Sequence, residues 1–169
     1  MLHPFDNPPP HEHAQRQAWM GLLARAPLAL LVDIIGPHVA KHPPKWLRQP
    51  ETGLMMIQGR VGGSGQRFNL GEITVTRCAL CFTVARLDSP VGVAYVLGRN
   101  HYQATLAATA DALLQDIEQY DALEFSLLEP IRQFLNQQRA DKHARAQTTK
   151  VDFFTVARET NSVGKVDAS

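Results

Sequence analysis

Residues 51–77 read ETGLMMIQGRVGGSGQRFNLGEITVTR, and this stretch decides the fold. Two β-prone runs, 52–61 and 66–84, flank Gly62-Gly63-Ser64-Gly65. Glycine reaches positive φ without steric cost, so the four residues read as a hairpin loop. A connection this short cannot hold a crossover, so the two strands are antiparallel. Gly71 interrupts the second run and predicts a bulge. After the turn Asp88-Ser89-Pro90, VGVAYVL (91–97) supplies a further strand and extends the hairpin into a meander.

Helical periodicity appears on both sides of this sheet. From Glu12, the residues Trp19, Leu22, Leu23, Ala26 and Leu30 keep the three-and-four spacing of an apolar stripe. Pro27 predicts a break, with a second short helix carrying Leu31, Ile34 and Ile35 and ending at Gly36-Pro37. Residues 37–50, PHVAKHPPKWLRQP, read as a proline-rich loop pinned by Trp46. Asn100 is an N-cap for a helix whose face carries Tyr102, Leu106, Ala110, Leu113, Leu114 and Ile117. The acids Asp111, Asp116 and Glu118 are assigned to its polar side. A further helix starts near Asp121, breaks at Glu129-Pro130 and restarts through Ile131, Phe134 and Leu135. The run 137–149 is polar all round, the pattern of a helix that lies between partners or is marginal alone. The expected fold is α+β: an antiparallel sheet of about three or four strands flanked by N- and C-terminal helices. Its organisation is a Pro/His-rich flexible tail (1–13), one domain (14–158) and a disordered tail (159–169).

Composition excludes several function classes. The 169 residues hold 17 Lys+Arg against 16 Asp+Glu, a formal charge of +1. That balance lacks the electrostatic footprint of a nucleic-acid binder. The N-terminus has neither a basic n-region nor an apolar run, and residues 22–35 are too short to span a bilayer, so the cytoplasm is the expected compartment. Two short apolar helices resemble a helix-turn-helix, but LALLVDII (28–35) has almost no side chain able to read a base edge.

Cys78 and Cys81 spell Cys-x-x-Cys within a strand, where residues three apart face opposite sides. No helix N-terminus lowers their pKa and no further ligands accompany them, so they read as small buried or half-buried hydrophobes, and no metal site is expected. The glycine loop is neither GxxxxGK[ST] nor GxGxxG. Arg60 and Arg67 flank it, and with Arg99 at a strand-to-helix junction they are candidate anion ligands. Glu72, beside Gly71, is a candidate general acid or cation partner. Gly62, Gly63 and Gly65 are turn residues. Phe153 and Phe154 in VDFFTV (151–156) suggest an apolar patch for a partner. His101 follows Arg99 closely and reads equally as a first-turn surface residue. No complete catalytic constellation emerges.

Several separated segments, taken in order, resemble the PhnG family, the G subunit of the bacterial carbon–phosphorus lyase system. They are RQAWM (16–20), ETGL (51–54), IQGRVGGSGQRF (57–68), GEITVTR (71–77), LGR (97–99), DALLQ (111–115) and VDFFT (151–155). The resemblance spans residues 19–158 or so. It implies a subunit that works with the H, I and L proteins to displace adenine from ATP by a phosphonate, giving an α-D-ribose 1-phosphonate 5-triphosphate. It further implies partnership with the H, I and J subunits and the ATPase-like K and L proteins. ATP would be a substrate of the complex, with no cofactor held by this chain alone. Such chemistry requires two anions to be oriented and a cationic sugar to be stabilised. The alternative is a non-catalytic scaffold that only holds the H, I and J subunits together.

Overall fold

The computed structural model describes residues 11–82 and 90–148. Among them, α1 (His11–Leu23) and α2 (Leu28–Lys41) precede β1 (Lys45–Arg60), β2 (Arg67–Cys81) and β3 (Val91–Leu97). Then follow α3 (His101–Leu114), α4 (Ile117–Leu123), a π turn (Glu124–Leu128) and α5 (Glu129–Thr148). The strands form one antiparallel sheet in the order β1-β2-β3. The α+β expectation holds. VDFFTV, with Phe153 and Phe154, lies outside the described residues, as do residues 1–10, the C-terminal tail and Asp88-Ser89, whereas His11–His13, assigned to the flexible tail, begin α1.

The hairpin forms as its glycines require. Gly62 and Gly63 have φ of 59° and 82°, and a Cβ on Gly65 would sit 2.7 Å from the Val61 carbonyl oxygen. Gly71 lies at a register shift: Ile57 faces Gly71 and Gln58 faces Asn69, leaving Leu70 as the extra residue. β3 pairs only with Val75–Cys81, so the distal halves of β1 and β2 continue beyond the sheet as a two-stranded arm.

α3 is the central helix, packed on the inner face of the sheet. Asn100 caps it by accepting a hydrogen bond from the Gln103 backbone N–H. Ala104, Leu106, Ala107, Ala108, Ala110, Ala112 and Leu114 are all buried. The core is completed by Trp19, Leu23, Leu31, Ile35, Cys78, Leu80, Val96, Leu127, Leu128 and Ile131. The outer face of the sheet carries exposed Met55, Phe68, Leu70, Tyr95 and Leu97.

Four local expectations are corrected. First, α2 runs through Pro37 to Lys41 rather than ending at Gly36. Pro37 and Asp33 are both exposed, so the carbonyl that loses its helical partner remains open to water. Second, the segment expected to be a loop around Trp46 is strand from Lys45, with Trp46 opposite Leu80. Its register is irregular from Trp46 to Glu51, which admits Pro50 on an edge strand. Third, the stripe assigned to α3 fails at both ends: Tyr102 is exposed, and Ile117, at the start of α4, is 90% exposed. Fourth, the chain does not break at Glu129-Pro130. A π turn, closed by the Glu129 N–H on the Glu124 carbonyl, carries it past the proline ring.

Beyond Leu135, every described residue of α5 is exposed. No single helix among the described residues is long and apolar enough to cross a membrane. The α1–α2 pair reaches the required length only with a bend of 115°, and it buries Trp19, Leu23, Leu31 and Ile35 in the core.

Both cysteines are free; Cys78 is buried and Cys81 half-buried. Cys78 Sγ donates to the Ala104 carbonyl at 3.2 Å, and burial pushes its thiol up to about 11. Under native conditions at pH 8, iodoacetamide should modify Cys81 and spare Cys78, as read by peptide mass. Equal labelling would refute the packing. Because the folded thiol titrates above the unfolded value of 9.0, Cys78 costs no stability below pH 9 and lowers it progressively between 9 and about 11.

Candidate functional site

The arm carries most of the candidate residues. Directly opposite pairs share a face, so Leu54/Thr74, Met56/Glu72, Gln58/Asn69 and Arg60/Arg67 line the side continuous with the helix-covered face of the sheet. The opposite side is apolar, with Met55/Ile73, Ile57, Leu70 and Phe68.

Arg60 and Arg67 are cross-strand partners at the tip, and Arg60 Nη1 donates to the Gly65 carbonyl at 3.2 Å. Glu72, exposed, is five residues back along β2, roughly 16 Å from Arg67. Arg99, also exposed, follows Gly98, whose N–H donates to the Thr74 carbonyl at 2.9 Å. Seven residues of β2 therefore separate its level from Arg67, roughly 20 Å. The structure brings Arg60 and Arg67 together and places Glu72 and Arg99 nearer the root of the arm.

At that root lies a cluster of polar side chains. Thr76, fully buried on the central strand, donates through Oγ1 to the Gly98 carbonyl at 2.7 Å. Thr52 Oγ1 lies 3.2 Å from Thr76 Oγ1 and 2.9 Å from His101 Nε2. The segment from Gly98 (φ 92°) to His101 is thus held from the Thr74 carbonyl on one side and the two threonines on the other.

A second polar network is wholly structural, and sequence reading misplaced it. Asp111 was assigned to a polar helix face, yet it is fully buried. Its Oδ1 accepts from Trp19 Nε1 at 2.8 Å and Arg16 Nε at 3.2 Å. Its Oδ2 accepts from Arg16 Nη2 at 2.7 Å and the Val93 N–H at 2.9 Å. Arg16 Nη2 and Gln115 Nε2 both donate to the Val91 carbonyl. These bonds tie α1 and α3 to β3 and occupy backbone groups of that edge strand. The available signal was one acid inside the Ala- and Leu-rich run Leu106–Leu114, which has Thr109 as its one other polar residue. Asp116 and Glu118 do lie at the surface, with Asp116 capping α4 by accepting from the Glu118 N–H.

A cleft of about 820 Å³ opens between α2 and the C-terminal end of α3, lined by His38, Lys41, His42, Phe82 and Asp116. Among the described residues, no three His, Cys, Asp or Glu side chains cluster to hold a metal ion.

Comparison with known proteins adds identity to this geometry. The model of the family described as phosphonate metabolism protein PhnG matches residues 14–159. The alpha-D-ribose 1-methylphosphonate 5-triphosphate synthase subunit PhnG of Rhizobium meliloti (strain 1021) is 41% identical over 150 residues, covering 86% of this chain and 90% of that relative. Several of the segments singled out in the sequence converge in space. RQAWM and DALLQ meet at the Arg16–Trp19–Asp111 network. ETGL, GEITVTR and LGR meet at Thr52, Thr76 and Gly98.

Proposed function

The chain belongs to the PhnG family of phosphonate metabolism, and on that premise we propose that it is an obligate subunit of a ribose 1-phosphonate 5-triphosphate synthase. With the H, I and L proteins of the carbon–phosphorus lyase system it displaces adenine from ATP by a phosphonate. It assembles with the H, I and J subunits, alongside the ATPase-like K and L proteins, in the cytoplasm. The observation that carries the reading is the match to a curated synthase subunit over nearly the full length of both chains. Two features support it. The outer sheet face and one side of the arm are apolar and exposed, as befits a chain that is buried against others. The arm's other side carries Arg60, Arg67 and Glu72, a spread-out set that fits a site completed by other subunits.

The chemistry divides accordingly. A phosphonate oxygen attacks the anomeric carbon as the bond to adenine breaks, so developing positive charge on the sugar sits between two anionic groups. Arginines on the arm screen the triphosphate or the phosphonate, and an acid protonates the departing base.

Reconstitution tests this directly. The isolated chain should show no turnover, and omitting it from the reconstituted set should abolish formation of the ribose 1-phosphonate product. Undiminished synthesis without the chain would sink the reading. Arg67→Ala separates it from the second reading, a scaffold favoured by the apolar faces. At an exposed turn the substitution should change stability by no more than about 0.5 kcal/mol. Loss of a charge-assisted anion contact should weaken ATP or phosphonate use about ten- to a hundredfold. Normal assembly with normal turnover would remove the anion role and leave the scaffold.

A further inference from the structure

Proton counting at the root of the arm gives His101 a defined tautomer. Each threonine hydroxyl has one proton. The Thr76 proton is spent on the Gly98 carbonyl, which can only accept. At the 3.2 Å contact Thr76 Oγ1 must therefore accept, and Thr52 must donate to it. That spends the Thr52 proton, so at the 2.9 Å contact Thr52 Oγ1 accepts and His101 Nε2 donates. The chain of bonds runs His101 Nε2–H to Thr52 to Thr76 to the Gly98 carbonyl, with one direction throughout. A neutral imidazole that carries its proton on Nε2 has a lone pair on Nδ1.

The relay is anchored, not loose. Thr76 is fully buried on the central strand, and Gly98 is fixed at its other face by the Thr74 carbonyl. His101 itself is exposed as the first residue of α3, with exposed Arg99 two residues before it. On the same side of the arm follow Leu54/Thr74 and Met56/Glu72. The exposed imidazole is thus held on one nitrogen by Thr52, which is anchored in turn on buried Thr76.

We infer that His101 is a substrate-binding residue whose Nδ1 accepts a hydrogen bond from an O–H or N–H donor of the nucleotide, with Thr52 and Thr76 as positioning residues that hold the Nε2–H tautomer. This rests on the synthase reading and adds to it a specific acceptor for the neutral part of ATP, two residues from the exposed cation Arg99. A surface histidine would interconvert between tautomers; this one meets Thr52, whose hydroxyl is in turn tied to buried Thr76.

Two measurements test it. In the full-length chain labelled with 15N-histidine, long-range 1H–15N correlation under alkaline conditions should show His101 protonated on Nε2, assigned by its loss in His101→Asn. Thr52→Val should give a tautomer mixture and Thr52→Ser should restore the parent pattern. A predominantly Nδ1-protonated ring, or a Thr52→Val spectrum like the parent's, overturns the relay. In the assembled synthase, His101→Ala should raise the KM for ATP about tenfold, whereas His101→Asn, whose amide oxygen can occupy the Nδ1 position, should recover most of it. The parent's loss on 2′-deoxy-ATP or 3′-deoxy-ATP identifies a sugar hydroxyl as the donor, and loss on the triphosphate of purine riboside identifies the base amine. Unchanged KM in His101→Ala within a synthase that still requires this chain overturns the inference alone. Synthesis that does not require the chain overturns the functional reading first.

Discussion

Asp111→Ala is expected to destabilise the fold by about 3–5 kcal/mol, the usual cost of removing one partner from a buried ion pair. The carboxylate is fully buried and accepts four hydrogen bonds, from Arg16 twice, from the Trp19 indole and from the Val93 backbone. Truncation leaves the indole and backbone N–H groups buried without an acceptor, and it leaves the Arg16 guanidinium without its counter-charge. The Arg16 side chain retains 33% of its exposure, so water can recover part of its solvation and moderates the loss. For a chain of this length, each kcal/mol shifts the melting temperature by about 2–4 °C, so a drop on the order of 10 °C is expected. Asp111→Asn should cost less, since an amide oxygen still accepts from the indole while the amide nitrogen meets the Val93 N–H or the guanidinium unfavourably. The pairing also predicts strong non-additivity: once Arg16→Ala is present, Asp111→Ala should cost a different amount than it does alone. Thermal melting of the four chains supplies the comparison. A melting point for Asp111→Ala within 2 °C or so of the parent would show that the network does not hold α1 and α3 to β3.

Gly92→Ala should be comparably damaging for a steric reason. Gly92 is buried on β3 where α3 crosses it, and a Cβ there would lie 2.0 Å from the Ala108 carbonyl oxygen and 2.8 Å from Ala112 Cβ. Neither contact can be relieved by a side-chain rotation. The strand and helix must separate, which opens the interface on which Leu80, Val96 and Leu106 depend. Overpacking typically costs 1–3 kcal/mol, and a clash against backbone belongs at or above about 3 kcal/mol. Gly53→Ala is the control, because a Cβ there meets nothing within 4 Å. The expected result is a large fall in melting temperature for Gly92→Ala and a shift of a degree or two for Gly53→Ala. Equal behaviour of the two would refute the close approach of α3 to β3.

The candidate site was partly legible in the sequence. Arg60 and Arg67 flank a turn whose glycines announce themselves, so their pairing at the tip follows from hairpin geometry alone. Arg99 could be placed beside a helix start but not relative to the other two, because that depends on how far the hairpin projects past β3. His101 was ambiguous between a surface residue and a site residue for the same reason. Its role rests on Thr52 and Thr76, which are 49 and 25 positions away in the chain, and only strand pairing brings them together.

Local chemistry by itself determined the elements whose cause is local. Positive-φ glycines made the hairpin, Asn100 capped α3 through the Gln103 N–H, and a short apolar run after a turn made β3 over the bounds read from sequence. Tertiary packing decided the rest. Pro37 and Pro130 looked like helix ends, but buried Leu31 and Ile35 before one, and Leu127, Leu128 and Ile131 around the other, hold the chain helical through both. Lys45–Pro50 became strand because β2 offered a partner out to Cys81. Asp111 was read as a solvated acid because charged residues usually are. A carboxylate enters a core only when donors from elsewhere meet it there, and Arg16, Trp19 and Val93 come from parts of the chain that no local pattern connects to it.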